Sequence, residues 1–240
     1  MTDPTLAAAL ARARRDRALY DLPPALAEAP LADAYAVQDA YVAAVAGEAG
    51  GIAGYKLGAN APALLAHFGI DEPISGQLFG DEIHASGTAL PRDAFHAVSI
   101  ELELAATLGP QVAGITTPID RNAAQALIAD YRPAIELLDL RGKHLPTEPL
   151  ANTVALNAYS AGCVLGEARR TPAELDIDNL EVTLVIDGET VTSVTGTAPQ
   201  PPAEAVMWLI NDLARRGIRP EPGMIVICGS FIPLMTLEPG

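Results

Sequence analysis

The chain reads as an α+β protein, with a helical N-terminal region over residues 1–50 and a mixed, mostly β core over residues 51–240. Three observations predict this. The first fifty residues carry two Ala/Leu-rich stretches of helical character. From Gly51 onward short apolar runs alternate with Gly, Pro and Asp, the texture of strands and turns. Half of the 240 residues are hydrophobic but only 5% are aromatic, so a sizeable core is possible and must be built from Ala, Val, Leu and Ile.

The elements follow in order. Residues Thr5 to about Tyr20 form a helix stopped by Pro23-Pro24, whose rings cannot continue one. A second helix runs from Leu31 to Ala46, with Ala34, Val37, Tyr41 and Val45 as an apolar stripe suited to core packing. Ile52 to Leu57 is a strand, and Ala61 to Phe68 a short helix with Pro62 in its first turn. Gly76 to Phe79 and Val98 to Leu108 are strands, followed by a helix over Thr117–Ile128 capped by Thr117. Ile135–Leu138, Val154–Leu165, Leu180–Ile186 and Met224–Cys228 complete the strands. Asp187-Gly188 between two apolar runs is a strong hairpin signal. Pro202 to Arg216 is an amphipathic helix ended at Gly217. No internal repeat or low-complexity linker is present.

Charge narrows the function. With 15 Lys+Arg against 30 Asp+Glu the formal net charge is −15, which argues against nucleic acid or an anionic membrane as partner. Cys163 and Cys228 each lie in an apolar stretch and read as reduced, buried thiols of a cytoplasmic protein. No signal peptide precedes residue 17, and no apolar run reaches membrane-spanning length.

The chemistry concentrates in Val98–Ala106. Glu101 and Glu103 are two apart on a strand and so share a face, while Ile100, Leu102 and Leu104 fill the other. Glu136 sits within its own apolar run, Pro133–Asp139. Neighbouring ionised carboxylates repel, and burying them is costly unless a positive charge lies between them. A hard divalent cation such as Mg²⁺ or Mn²⁺ suits three carboxylates with no His or Cys nearby. Glu-x-Glu on the solvent face of an amphipathic strand explains the first pair equally well; Glu136 brings the metal reading level with that one, since ionisable residues are rarely buried without a partner.

Several segments together resemble the 2-keto-4-pentenoate hydratase group of the fumarylacetoacetate hydrolase superfamily. They are Asp33–Gln38, Gly54-Tyr55-Lys56-Leu57-Gly58, Phe68–Pro73, Ile100–Glu103, Pro133–Glu136 and Gly229-Ser230-Phe231, in family order across nearly the whole chain. The resemblance implies a β-roll core with a divalent cation in its mouth. Glu101, Glu103 and Glu136 would be the Mg²⁺ or Mn²⁺ ligands, Lys56 the active-site lysine, and Asn157 and Ser230 substrate-binding residues. It further implies a short 2-oxo acid or its dienol tautomer as substrate, and metal-dependent addition of water to a 2-hydroxy-2,4-dienoate as the reaction. A dication beside Lys56 would push its pKa down, fitting it to shuttle protons.

Departures from the family pattern keep alternatives open. Asn60 ends the run that begins at Lys56, Ile74-Ser75 replaces an acid found in some hydratases, Leu156 stands before Asn157, and Cys228 precedes Gly229. Loss of acids near the pocket would remove a group that activates water. A sister reaction, decarboxylation of a 2-oxo-3-enedioate, needs no such water. Retro-Claisen hydrolysis is a third reading, but His67, His84, His96 and His144 lie in no recognisable pairing motif. An inactive paralogue acting as a binding or partner subunit is a fourth. Where the chain ends, the family adds further strand; an exposed sheet edge would need covering, which predicts a homo-oligomer.

Overall fold

The computed structural model describes residues 4–196 and 198–237. Local sequence chemistry sets most element boundaries. The first helix, α1 (Pro4–Arg15), stops short of the expected Tyr20 and well before Pro23-Pro24, because Arg17 takes a left-handed φ of 53° and the Ala18 N–H closes on the Ala13 carbonyl at 2.9 Å; α2 (Leu31–Ala46) buries the predicted stripe of Ala34, Val37, Tyr41 and Val45. Then come β1 (Ile52–Gly58), α3 (Pro62–Phe68), β2 (Ile74–Phe79), β3 (Ile83–Ala85) and β4 (Val98–Leu108). The second half holds α4 (Arg121–Leu127), β5 (Ile128–Asp139), α5 (Leu150–Ala155), β6 (Ser160–Leu165), β7 (Glu181–Ile186), β8 (Glu189–Thr195), α6 (Pro202–Arg215), β9 (Ile225–Ser230) and β10 (Met235–Thr236).

The main sheet has the order β2-β1-β9-β4-β5-β6-β3, with β10 added against one end of β4. It is mixed: β1 pairs with β9 in parallel, while β4 is antiparallel to both β9 and β5. The β7–β8 hairpin turns at Asp187 and Gly188, whose φ values of 52° and 84° are those the two-residue turn demands. One apolar cluster joins α1 and α2 to the sheet, through Leu10, Val37 and Tyr41 against Phe79, Leu138 and Tyr159. Two arginines fasten that contact. Arg14 binds Glu82, the Tyr41 hydroxyl and the Ser160 carbonyl. Arg141 donates to the Ala13 and Arg14 carbonyls at 2.8 and 2.9 Å and to Asp139 at 2.9 Å.

Three further readings need correction. The helix expected from Thr117 starts only at Arg121, because Asp120 caps it by accepting from the Ala123 N–H at 2.8 Å. The preceding backbone is held extended by the Asn211 amide, which bonds both the N–H and the carbonyl of Ile119. The expected strand over Val154–Leu165 begins as helix α5 and becomes a strand only at Ser160. Between them Asn157, Ala158 and Tyr159 all have positive φ, which no strand accommodates. A short apolar run does not distinguish helix from strand, and this one contains both. The edge expected to lie open near the C-terminal strand is covered: Met235 and Thr236 pair with Ile100 and Ser99.

Close approach of β1 to β9 depends on Gly54. A Cβ at Gly54 would lie 2.2 Å from the Ile225 carbonyl oxygen. Gly54→Ala is therefore expected to cost about 2–4 kcal/mol by forcing the ladder apart. Urea unfolding of the two proteins measures it; a loss below about 0.5 kcal/mol would contradict the tight packing.

Candidate metal centre

Strand register builds the site. Glu101 on β4 lies directly opposite Glu136 on β5, and Glu103 lies opposite Ser230 on β9. With a side-chain period of two, all three carboxylates project from the same face of the sheet. Each offers an oxygen, and these atoms lie within 4.8 Å of one another. Glu103 and Glu136 are buried, while Glu101 stands at the rim with part of its surface exposed.

Lys56 meets them from another wall. In a flat sheet β1 and β5, three positions apart, would be separated by about 14 Å. Lys56 Nζ nevertheless lies 2.9 Å from Glu136 Oε1, so the sheet curls and brings its two sides together around the acids. Gly76, paired with Lys56 on β2, leaves space for that lysine: a Cβ there would lie 3.2 Å from Lys56 Cδ and 2.8 Å from the Asn157 carbonyl oxygen.

Electrostatics of the cluster are unbalanced, with three carboxylates against one ammonium. Burial raises the pKa of all three acids. For Glu101, burial and then the charge of Glu136 outweigh the pull of Lys56 and lift it to about 7. Burial works against the Lys56 ammonium, but Glu136, Glu101 and Glu103 together overcome it and raise its pKa. That direction is set by the surrounding carboxylates, Glu136 first. Glu103 Oε2 accepts the Gly229 N–H at 2.5 Å, whereas Glu136 Oε2 has no hydrogen-bond donor among the described residues. Orphaned, mutually repelling oxygens and a site without imidazole fit a hard divalent ion. Cys163 lies opposite Glu136 on β6, yet burial and then the charges of Glu136 and Glu103 push its thiol up to about 12, leaving it neutral and a poor ligand.

Two adjoining cavities open onto the acids. The larger, of about 520 Å³, is lined by Glu101, Glu103, Asn60 and Ser230 and by an apolar wall that includes Leu145, Pro146, Pro199 and Phe231 to Leu234. The smaller, of about 90 Å³, is lined by Lys56, Glu101, Ile74, Leu138 and Ala158. None of the four histidines lines either cavity. The expectation that Asn157 binds substrate needs correction. Its amide is engaged with Gln77, accepting from the backbone N–H at 2.7 Å and donating to the carbonyl at 2.8 Å, and the residue is fully buried and lines neither cavity. It fixes the left-handed turn behind Lys56 instead. Ser230 does line the larger cavity, with its hydroxyl donating to the Ile232 carbonyl at 2.7 Å. Asn60 and Ile74, two of the departures from the family pattern, both face a cavity. The apolar wall had no sequence signal, since its residues come from loops far apart along the chain.

A carboxyl whose pKa is higher in the folded than in the unfolded chain holds its proton more tightly in the native state. Its stabilising contribution is full below the unfolded value of 4.5 and is lost as pH rises through about 7. Metal-free protein is thus expected to lose several degrees of Tm between pH 5 and 8, and Glu101→Gln to flatten that slope. Thermal melts across pH in the presence of a chelator check this; an unchanged slope in the variant would show that Glu101 is not the group responsible.

No family model matches the chain. It is 33% identical over 214 residues to a 2-oxo-hept-4-ene-1,7-dioate hydratase of Escherichia coli, covering 85% of this chain and 78% of that protein. A 2-keto-4-pentenoate hydratase of Paraburkholderia xenovorans is 29% identical, over 87% of this chain and 77% of the relative. Among solved structures, 4-oxalocrotonate decarboxylase from Pseudomonas putida, complexed with magnesium and adipate, superposes with a TM-score of 0.88 at 25% identity, covering 99% of this chain and 90% of that one. Identity and coverage of this extent, on a curled sheet that gathers three glutamates and a lysine, place the chain in the 2-keto-4-pentenoate hydratase and 4-oxalocrotonate decarboxylase group of the fumarylacetoacetate hydrolase superfamily.

Proposed function

We propose that the protein is a divalent-metal-dependent lyase that adds water to a 2-hydroxy-2,4-dienoate, giving a 4-hydroxy-2-oxo acid. The observation that carries this reading is the cross-strand triad of Glu101, Glu103 and Glu136 beside Lys56. Those three glutamates would hold Mg²⁺ or Mn²⁺, and the chemistry such an ion supplies when bound is Lewis-acid polarisation of the substrate's carboxylate and 2-oxygen. Lys56 holds a proton at Nζ on the substrate side of Glu136. With the triad's charge neutralised, the field that keeps this proton in place weakens, and burial then favours its release. Lys56 can therefore deliver its proton to C5 and take up the 2-hydroxyl proton in its place, giving the 2-oxo-3-enoate and returning to its starting state; water then adds across the conjugated double bond, its oxygen to C4 and its proton to C3. Asn60 and Ser230 line the cavity where the carbon chain lies, and the apolar wall keeps bulk water from the dienol.

Decarboxylation of a 2-oxo-3-enedioate is the second reading. Ile74 favours it: an apolar side chain lines the cavity with Lys56, in the stretch Ile74-Ser75 that the family resemblance marks as replacing an acid of some hydratases. Both readings use the same triad and lysine. The protein is further proposed to act in the cytoplasm, consistent with two buried free cysteines, and as a homo-oligomer. Val185 and Val191 on the β7–β8 hairpin are about half exposed and offer apolar surface to a second copy. A monomeric mass in solution scattering would count against assembly.

Incubation with Mg²⁺ and 2-hydroxypenta-2,4-dienoate is expected to deplete the dienol absorbance and give a product heavier by one water. Glu103→Gln is expected to lower kcat/KM by at least about 10³-fold and to abolish the rise in Tm that Mg²⁺ or Mn²⁺ gives the unaltered protein. Full activity in that variant would remove Glu103 from the site; turnover of an enedioate with loss of CO₂, and none of the dienoate, would favour the decarboxylase.

A further inference from the structure

Glu103 is held from outside the triad through a single peptide unit. Its Oε2 accepts the Gly229 N–H at 2.5 Å. The carbonyl of that same peptide belongs to Cys228, and it accepts from Asn60 Nδ2 at 3.0 Å. A peptide unit is planar, so whatever orients its carbonyl orients its N–H as well. The register of the β4–β9 ladder shifts at this point. Glu103 pairs with Ser230 and Ala105 with Ile227, which leaves Leu104 facing both Cys228 and Gly229 across a bulge. Gly229 adds conformational freedom there, with a φ of 124° that residues bearing a Cβ rarely adopt. A Cβ on it would lie 2.3 Å from Asn60 Nδ2, so the Asn60 amide packs directly against this glycine.

Asn60 Nδ2 carries two protons, and the second goes to Gln200 Oε1 at 3.1 Å. Both are therefore committed within the protein, although Asn60 lines the same cavity as Glu101 and Glu103. We propose that Asn60 is a positioning residue for Glu103: its grip on the Cys228 carbonyl sets the plane of the Cys228–Gly229 peptide, aims the Gly229 N–H at Glu103 Oε2, and so holds the carboxylate in the pose that receives a divalent ion. The inference rests on the reading that Glu103 ligates that ion. The last torsion of a glutamate side chain is broad, so a carboxylate left alone samples many orientations. One oxygen pinned by a charge-assisted hydrogen bond gives the other a single direction. Without the Asn60 bond, the bulged peptide at Gly229 is free to turn, and Glu103 Oε2 loses its donor. Outer partners that orient a metal ligand in this way typically set affinity for the ion by about 10–100-fold.

Asn60→Leu keeps the approximate shape of the side chain and removes its donor. Calorimetric titration of the metal-free full chain with Mn²⁺ is expected to show at least about tenfold weaker binding by this variant than by the unaltered protein. Amide hydrogen exchange of the two metal-free proteins reads the clamp itself, and Gly229 is expected to exchange at least about tenfold faster in the variant. The Phe231 N–H, which bonds the Leu102 carbonyl at 2.8 Å, is expected to keep its rate, as a general loosening of the fold would not allow. Asn60→Ser, whose side chain is one bond shorter, carries the same expectations and replaces the leucine variant if that one does not fold. Unchanged Mn²⁺ affinity or unchanged Gly229 exchange overturns the inference, as does equal acceleration at Phe231. Failure of the unaltered protein to bind Mn²⁺ would remove the metal centre and the inference with it. Mn²⁺ affinities in the expected order, without hydration of the five-carbon dienoate, would refute the proposed reaction and leave the role of Asn60 standing.

Discussion

Everything in this fold answers to the cost of holding three carboxylates and one ammonium inside a curled sheet. Glu101, Glu103 and Glu136 reach one another through a register that sets Glu101 against Glu136, and Lys56 reaches them only because β1 and β5 face across the curve. The neighbours are small or neutral: Gly76 and Ala134 beside the charged side chains, and Cys163 with its proton held in place by burial. Such an arrangement is unstable by itself. Its carboxylates repel one another, and in the proposed function a dication would relieve that repulsion, so affinity for the ion and readiness for chemistry would come from the same source.

The sequence revealed the site in proportion to how local each signal was. Two-residue spacing on β4 made the shared face of Glu101 and Glu103 visible, and a charge inside an apolar run flagged Glu136. Their cross-strand pairing, which turns a pattern into a cluster, is a long-range fact that no window of residues contains. Lys56 and Ser230 came from resemblance alone, and both face the cavities. Asn157 came the same way, yet its amide is committed to Gln77, an 80-residue separation that only the folded chain reveals. The strand expected through Val154–Leu165 failed where three consecutive left-handed residues intervene, a geometry that suits Asn157 but that the folded chain imposes on Ala158 and Tyr159. The α+β class, the second helix, strand β4 and the hairpin were legible because composition and periodicity agreed in each.

Support for the catalytic face comes from behind it. Arg216 stacks over the Tyr35 ring at 4.2 Å, donates to Ser75 Oγ at 3.2 Å and pairs with Asp39 at 2.7 Å, joining α2 and the end of α6 to β2. Gln38 of α2 donates from Nε2 to the Ser75 and Val154 carbonyls at 2.9 and 2.8 Å. These bonds hold Ile74 and Gly76, and through them the wall against which Lys56 lies. The helical layer is thereby part of the site's mechanical frame, not an ornament outside it.

The position of β9 has a consequence for how the molecule comes into being. It lies between β1 and β4 in the sheet, although about 165 residues separate it from the first of these along the chain and about 115 from the second. As the chain leaves the ribosome, β1 and β4 emerge with a vacant lane between them that only residues 225–230 can fill. The sheet therefore closes after synthesis of nearly all the described chain, and the loop-closure entropy of these distant pairings makes closure slow. Until then two adjacent strand edges stand open, so nascent chains at high density are exposed to edge-to-edge association in a way the finished protein is not.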